Sequence, residues 1–169
     1  DAIASWPTGE VPVLLMRGDA PMDRVRFTLA HELGHGVLHD FAAAEREAEA
    51  DQFAAEFLFP AAEARPRLKR PSMMSLTALK AEWGMSIAAL VRRARDVGAI
   101  GDSEYRSLNI ELSAAGMRKA EPVTLPAERP RIVRSAVAAR QKSGETLAGI
   151  AEQSYLTEVD LLNKYLETS

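Results

Sequence analysis

The chain has 169 residues, 47% of them apolar and 27% charged, with a formal net charge of −3 at pH 7. That length suits one compact domain or a small domain with a helical extension, and the mix is that of a soluble globular protein, not of a disordered chain or a strongly basic nucleic-acid coat. Cysteine is absent, which excludes disulfides, thiolate zinc fingers and cysteine nucleophiles, so any metal must be held by His and carboxylate.

No stretch approaches the roughly 20 apolar residues that span a membrane, and no secretory leader opens the chain. A cytoplasmic protein with no membrane partner is therefore expected. The first residue is Asp1, not methionine, so upstream modules lie outside this reading. Charge is uneven along the chain. Residues 40–56 carry Asp40, Glu45, Glu47, Glu49, Asp51 and Glu56 against Arg46, whereas residues 63–95 are dominated by Arg and Lys. Such a contrast points to regions with different surfaces.

In chain order, Val11 to Met16 reads as a strand, and Pro12 marks it as an edge strand because it removes a ladder donor. A turn through Pro21 leads into a helix predicted over 22–39. A second helix is predicted over 42–59, stopped by Pro60. Residues 65–71 form a basic connector with two prolines. Helices follow at 75–83, ended by Gly84, at 87–97, capped by Ser86, and at 103–112. A proline-containing link over 121–130 precedes helical segments at 131–141 and 145–166, the latter broken near Ser154 and Tyr155. Trp83 and the methionines read as core. The expected fold class is α+β and mostly helical, with a small edge-stranded sheet and a C-terminal helical region. Its expected parts are a metal-binding core over 1–62, a helical subdomain with a basic face over 63–120, and an extension over 121–169.

His31-Glu32-Leu33-Gly34-His35 is an HExxH motif. Residues four apart on a helix stand one turn above each other, so both imidazoles face one point in space. They can hold one zinc ion at about 2.0–2.1 Å. Glu32, about 100° further round, flanks the metal and suits the base for a water molecule. Val25, Leu29, Leu33 and Val37 form one apolar stripe, with Phe27 and Leu38 on the histidine side, which predicts a buried helix. Gly34 leaves room for a second backbone.

A catalytic zinc needs a third protein ligand. On the second helix Glu49 lies one turn before Phe53 and two before Phe57 and so shares their predicted buried face, whereas Glu47 and Asp51 project to the other side. Glu49 is therefore the expected ligand. His39 lies about 12 Å along the axis from His31, too far for one ion to bridge easily, and is assigned with Tyr105 to the cleft. The sequence identifies no oxyanion donor besides the metal; His39, Tyr105, Arg24 and Arg26 are candidates only. The cofactor is read as one Zn²⁺ per chain, in a His-His-Glu set that also accepts Mn²⁺ or Fe²⁺.

The segments Arg26 to His35 and Glu49 to Pro60 closely resemble the ImmA/IrrE metallopeptidases. Both motifs stand in order, with Asp51 where the family usually has Asn and Phe59 where it has Met. The likeness spans roughly residues 10–122. It implies a zincin-like fold, with His31, His35 and Glu49 as ligands and Glu32 as the catalytic residue of a zinc endopeptidase. It further implies a helix-turn-helix repressor as the protein substrate, cleaved in a stress or mobile-element response.

Residues 79–90 also have helix-turn-helix spacing, and Arg92, Arg93 and Arg95 on the second helix stand where phosphates could be met. Lys80 occupies the place of the usual small residue. A poorer match runs over 145–162. A DNA-binding regulator that uses the zincin-like part as a sensor is thus the alternative function, with DNA the less favoured partner.

Overall fold

The computed structural model describes residues 2–5, 13–38, 46–128 and 131–166. His39, Trp6, Val11 and Pro12 lie outside them. The chain divides into two compact units, 1–126 and 127–169. The described structure is mostly helical, with one small sheet, as the α+β expectation requires. No described helix is long and apolar enough to cross a membrane.

The first unit opens with β1 (Ala2–Ser5), paired antiparallel to β2 (Val13–Met16) with Ala2 opposite Met16 and Ser5 opposite Val13. Only β2 was anticipated. Ala-Ile-Ala-Ser has little strand propensity of its own, so β1 depends on its partner. Along β2, Val13 and Leu15 are exposed while Leu14 and Met16 are half-buried, the alternation of a ribbon covered on one face.

Six helices follow among the described residues: α1 (Met22–Leu38), α2 (Arg46–Leu58), α3 (Ala61–Arg67), α4 (Met73–Trp83), α5 (Ile87–Asp96) and α6 (Asp102–Ala114). α3 replaces part of the predicted connector. It tolerates Pro66 because the proline falls in its last turn, where only one intrahelical bond is lost, and burial of Ala64 and Leu68 anchors it. Phe59, Leu68, Leu76, Ile87, Leu90, Val91 and Leu112 fill the core of α3–α6. Trp83 stacks on Phe59 with ring centroids 4.2 Å apart.

The α4–α5 hairpin is fixed by its caps. Ser72 forms a capping box with Ser75, Gly84 ends α4 at φ 68°, and the Ser86 hydroxyl accepts from the Ala89 amide. The turn needs a residue free of the Cβ penalty at positive φ. A Cβ on Gly84 would also fall 2.7–2.8 Å from the Arg26 guanidinium. Lys80, unexpected in such a hairpin, is buried and ion-paired to Asp23 of α1 and, at 2.7 Å, to Glu121. Glu121 also accepts from the Ile87 amide at 3.0 and 3.1 Å, completing the start of α5.

The three arginines offered to phosphates all have carboxylate partners within the chain. Buried Arg93 donates to the Phe59 carbonyl at 3.0 Å and to Glu56. The Ala61 amide and Arg93 hold the Glu56 carboxyl below the usual range. Arg95 meets Asp102 at 2.7 Å and lies over the Tyr105 ring. Arg92 faces Asp51 and Asp96. α4 and α5 are thus two helices joined by a short turn over residues 84–86, and the three arginines of α5 face this chain's own acids.

The second unit contains α7 (Ile132–Lys142), α8 (Leu147–Gln153) and α9 (Glu158–Leu161), continued by a π-type turn over Leu162–Leu166. Val137, Ile150, Ala151 and Leu161 form its core. Tyr155, at φ 57°, stands between α8 and α9 at the place matching Gly84 between α4 and α5. The faint sequence likeness of the two hairpins is therefore also a likeness of backbone.

Candidate metal centre

The site begins with how α1 and α2 touch. Both expectations about their buried faces need correction. On α1, Leu29 and Val37 are exposed, and the buried residues beyond the first turn are Ala30 and Gly34. On α2, Phe57 is 60% exposed and Phe53 half-buried, whereas Ala50 and Ala54 are completely buried. Small residues make the seam because they let the two backbones approach closely. A Cβ on Gly34 would lie 3.1 Å from Phe53 Cδ1 and 3.2 Å from the Ala50 Cα.

That seam decides which acid reaches the histidines. Glu47, Ala50, Asp51 and Ala54 follow the i, i+3, i+4, i+7 pattern of one helical face. Glu49, two positions from Glu47, lies about 200° round the helix, and both glutamates are exposed. Glu49 is expected there from its alignment with Phe53 and Phe57, whereas the face of α2 against α1 carries the buried Ala50 and Ala54.

Around His31 and His35 the distances are short and mutually consistent. The two Nε2 atoms are 3.1 Å apart. Glu47 places Oε1 3.1 Å from His35 Nε2 and Oε2 3.3 Å from His31 Nε2. Two nitrogens and an oxygen bound tetrahedrally at about 2.0–2.1 Å would be about 3.3–3.4 Å apart, so the triangle has the dimensions of a zinc-type site. His31, His35 and Glu47 form the metal-capable group found among the described residues.

Asp51 lies behind His31, with Oδ1 3.0 Å from Nδ1. A hydrogen on Nδ1 that is donated to this carboxylate leaves Nε2 as a lone pair directed into the triangle. The second histidine nitrogen and the Glu47 carboxylate also bring lone pairs there, and a cation satisfies all of them at once. The donor set therefore fits a divalent metal.

Glu32 is half-buried on α1, next to His31. Tyr105 packs against the α3–α6 core, with Arg95 over its ring. Arg24 is exposed, and the Arg26 guanidinium lies at the α4–α5 turn. Glu47 and Asp51, expected on the other side of α2, stand beside the histidines, and the spacing Glu47-x-x-x-Asp51 over Ala50 and Ala54 is the sequence signal for it.

The tightness of the seam gives a direct test. Gly34→Ala adds helix propensity of about 1 kcal/mol but sets a Cβ against backbone that cannot swing aside, and overpacking costs about 1–3 kcal/mol. We expect a lower unfolding temperature and weaker zinc binding, because Glu47 and Asp51 move with α2. A variant as stable as the parent with unchanged zinc affinity would show that the seam has slack.

A peptidase family model, described as the IrrE N-terminal-like domain, matches residues 4–95, more than half of the chain. No curated protein and no solved structure gives a significant match.

Proposed function

The chain belongs to the peptidase family of the IrrE N-terminal-like domain, and from that premise we propose a zinc-dependent endopeptidase with His31, His35 and Glu47 as metal ligands and Glu32 as catalytic base. The observation that carries this reading is the triangle of two Nε2 atoms and the Glu47 carboxylate, with edges of 3.1–3.3 Å. When bound, the ion supplies a Lewis acid for a water molecule and the scissile carbonyl. Glu32, about 100° round the helix from His31, accepts the water's proton and returns it to the leaving amine. Asp51 holds the His31 ring in the tautomer that binds metal. The outer edge of β2 offers backbone groups to which an extended peptide can add as a strand.

Membership in a peptidase family makes the substrate a protein. The narrower reading, a helix-turn-helix repressor cleaved in a stress or mobile-element response, rests on the family resemblance of the two motifs. Incubation of the zinc-loaded protein with candidate repressors, read by intact mass, tests that step separately.

The site is tested by metal content per chain in the parent, Glu47→Ala and Glu49→Ala. About one zinc in the parent and in Glu49→Ala, with clear loss in Glu47→Ala, is the expected result. Loss in Glu49→Ala with retention in Glu47→Ala would return the ligand role to Glu49. A parent that takes up no metal after incubation with zinc would overturn the peptidase mechanism.

A further inference from the structure

Asp51 has two carboxylate oxygens, and they face different helices. Oδ1 meets His31 Nδ1 on α1 at 3.0 Å, and Oδ2 faces Arg92 Nη1 on α5 at 3.5 Å. Arg92 is held in turn by Asp96 one helical turn further along α5, with Nε 3.8 Å from Oδ2. A row of alternating partners thus runs from the surface of α5, through α2, to a histidine of the metal centre.

The row meets an electrostatic need. Glu47 and Asp51 are i, i+4 neighbours on one face of α2, and like charges at that spacing repel. Glu47 is turned to the histidines. Asp51 meets the His31 ring with one oxygen, and its other oxygen takes an opposite charge from another element. Arg92 provides it, from a helix anchored by the buried Ile87, Leu90 and Val91. A guanidinium keeps its charge at all working pH values and presents a planar fork suited to a carboxylate. By restraining Asp51 it also restrains the oxygen that orients His31.

We infer that Arg92 is a positioning residue for the metal centre, acting through Asp51 on His31, and that α5 thereby contributes to metal affinity without supplying a ligand. The inference rests on the metal reading given above. It assigns a role to an arginine that the sequence offered only to phosphates, and it couples the helical hairpin to the centre by a contact that can be broken without touching a ligand.

The test is zinc affinity, measured by competition with a chromophoric chelator on the full chain at low salt. Loss of a partner that orients a ligating histidine weakens metal binding by about 10–100-fold, which is expected for Asp51→Ala. Arg92→Gln removes one half-exposed ion pair, so a smaller loss of about two- to fivefold is expected. Arg92→Lys should recover part of it. In an Asp51→Asn background, which keeps an acceptor for His31 but removes the charge, Arg92→Gln should cause no further loss. About 1 M salt, with a screening length near 3 Å, should close the gap between parent and Arg92→Gln.

Equal zinc affinity in the parent and Arg92→Gln at low salt would overturn the inference and leave the metal centre standing. An equal loss from Arg92→Gln in both Asp51 backgrounds would also overturn it, because the effect would then pass through the fold and not through Asp51. A parent that binds no zinc would overturn the metal reading and the inference together, and metal content alone distinguishes that case.

Discussion

Glu32→Gln is expected to leave zinc content unchanged while lowering peptide cleavage by about 10²–10⁴-fold, the range contributed by a positioned acid–base group. Glutamine keeps the size and helix propensity of glutamate but cannot take a proton from water. Glu32 lies one residue beyond His31 on α1 and outside the donor triangle, so the substitution removes no ligand. A peptide library digested by the zinc-loaded parent and by the variant, compared by mass spectrometry, measures the effect. Metal content of both preparations separates loss of the base from loss of the site. Cleavage at the parent rate by a zinc-loaded Glu32→Gln protein would show that another group handles the proton.

Much of this arrangement was legible in the chain. The HExxH spacing predicted that His31 and His35 share one side of α1, because a helix of 3.6 residues per turn stacks i and i+4, and their Nε2 atoms lie 3.1 Å apart. Ser86 and Gly84 marked the hairpin by local hydrogen bonding and by positive φ. What failed was the assumption that the largest apolar residues of α2 face its partner. Phe57 is exposed and Ala50 and Ala54 are buried, so the buried face of α2 differs from the expected one, and Glu47 stands beside both histidines. Close helix packing is carried by residues with little side chain, and hydrophobic size is a poor guide to it. β1 was missed for a related reason, since a four-residue strand rich in alanine has no pattern apart from its partner. Lys80 was seen only as a mismatch. Its acids come from residues 57 positions before and 41 after it, a pairing that no local signal announces.

The second large effect is expected at that lysine. Lys80 exposes only 4% of its side chain and joins Asp23 at the start of α1 to Glu121 beyond α6. Removal of one member of a buried ion cluster leaves the others without an opposite charge, which costs about 3–5 kcal/mol. Against a total stability of about 5–15 kcal/mol, Lys80→Ala should lower the unfolding temperature by roughly 10–20 °C. Lys80→Met, which keeps the volume and loses the charge, should be nearly as harmful if charge matters and nearly neutral if packing does. The same lysine predicts an alkaline limb in stability. Burial lowers its pKa, but the hydrogen bonds and charges of Asp23 and Glu121 outweigh burial and raise the pKa above 10.5. A group whose folded pKa is raised contributes its full stability below the unfolded pKa and loses it as pH rises through the folded value. Thermal unfolding of the parent should therefore weaken above about pH 10.5, through deprotonation of Lys80. Lys80→Met should show a flatter response over that range, because the proton is no longer there to lose. Identical slopes in the two proteins would mean that the Asp23–Lys80–Glu121 cluster does not set the alkaline limit, and that α1 is held to the hairpin by packing alone.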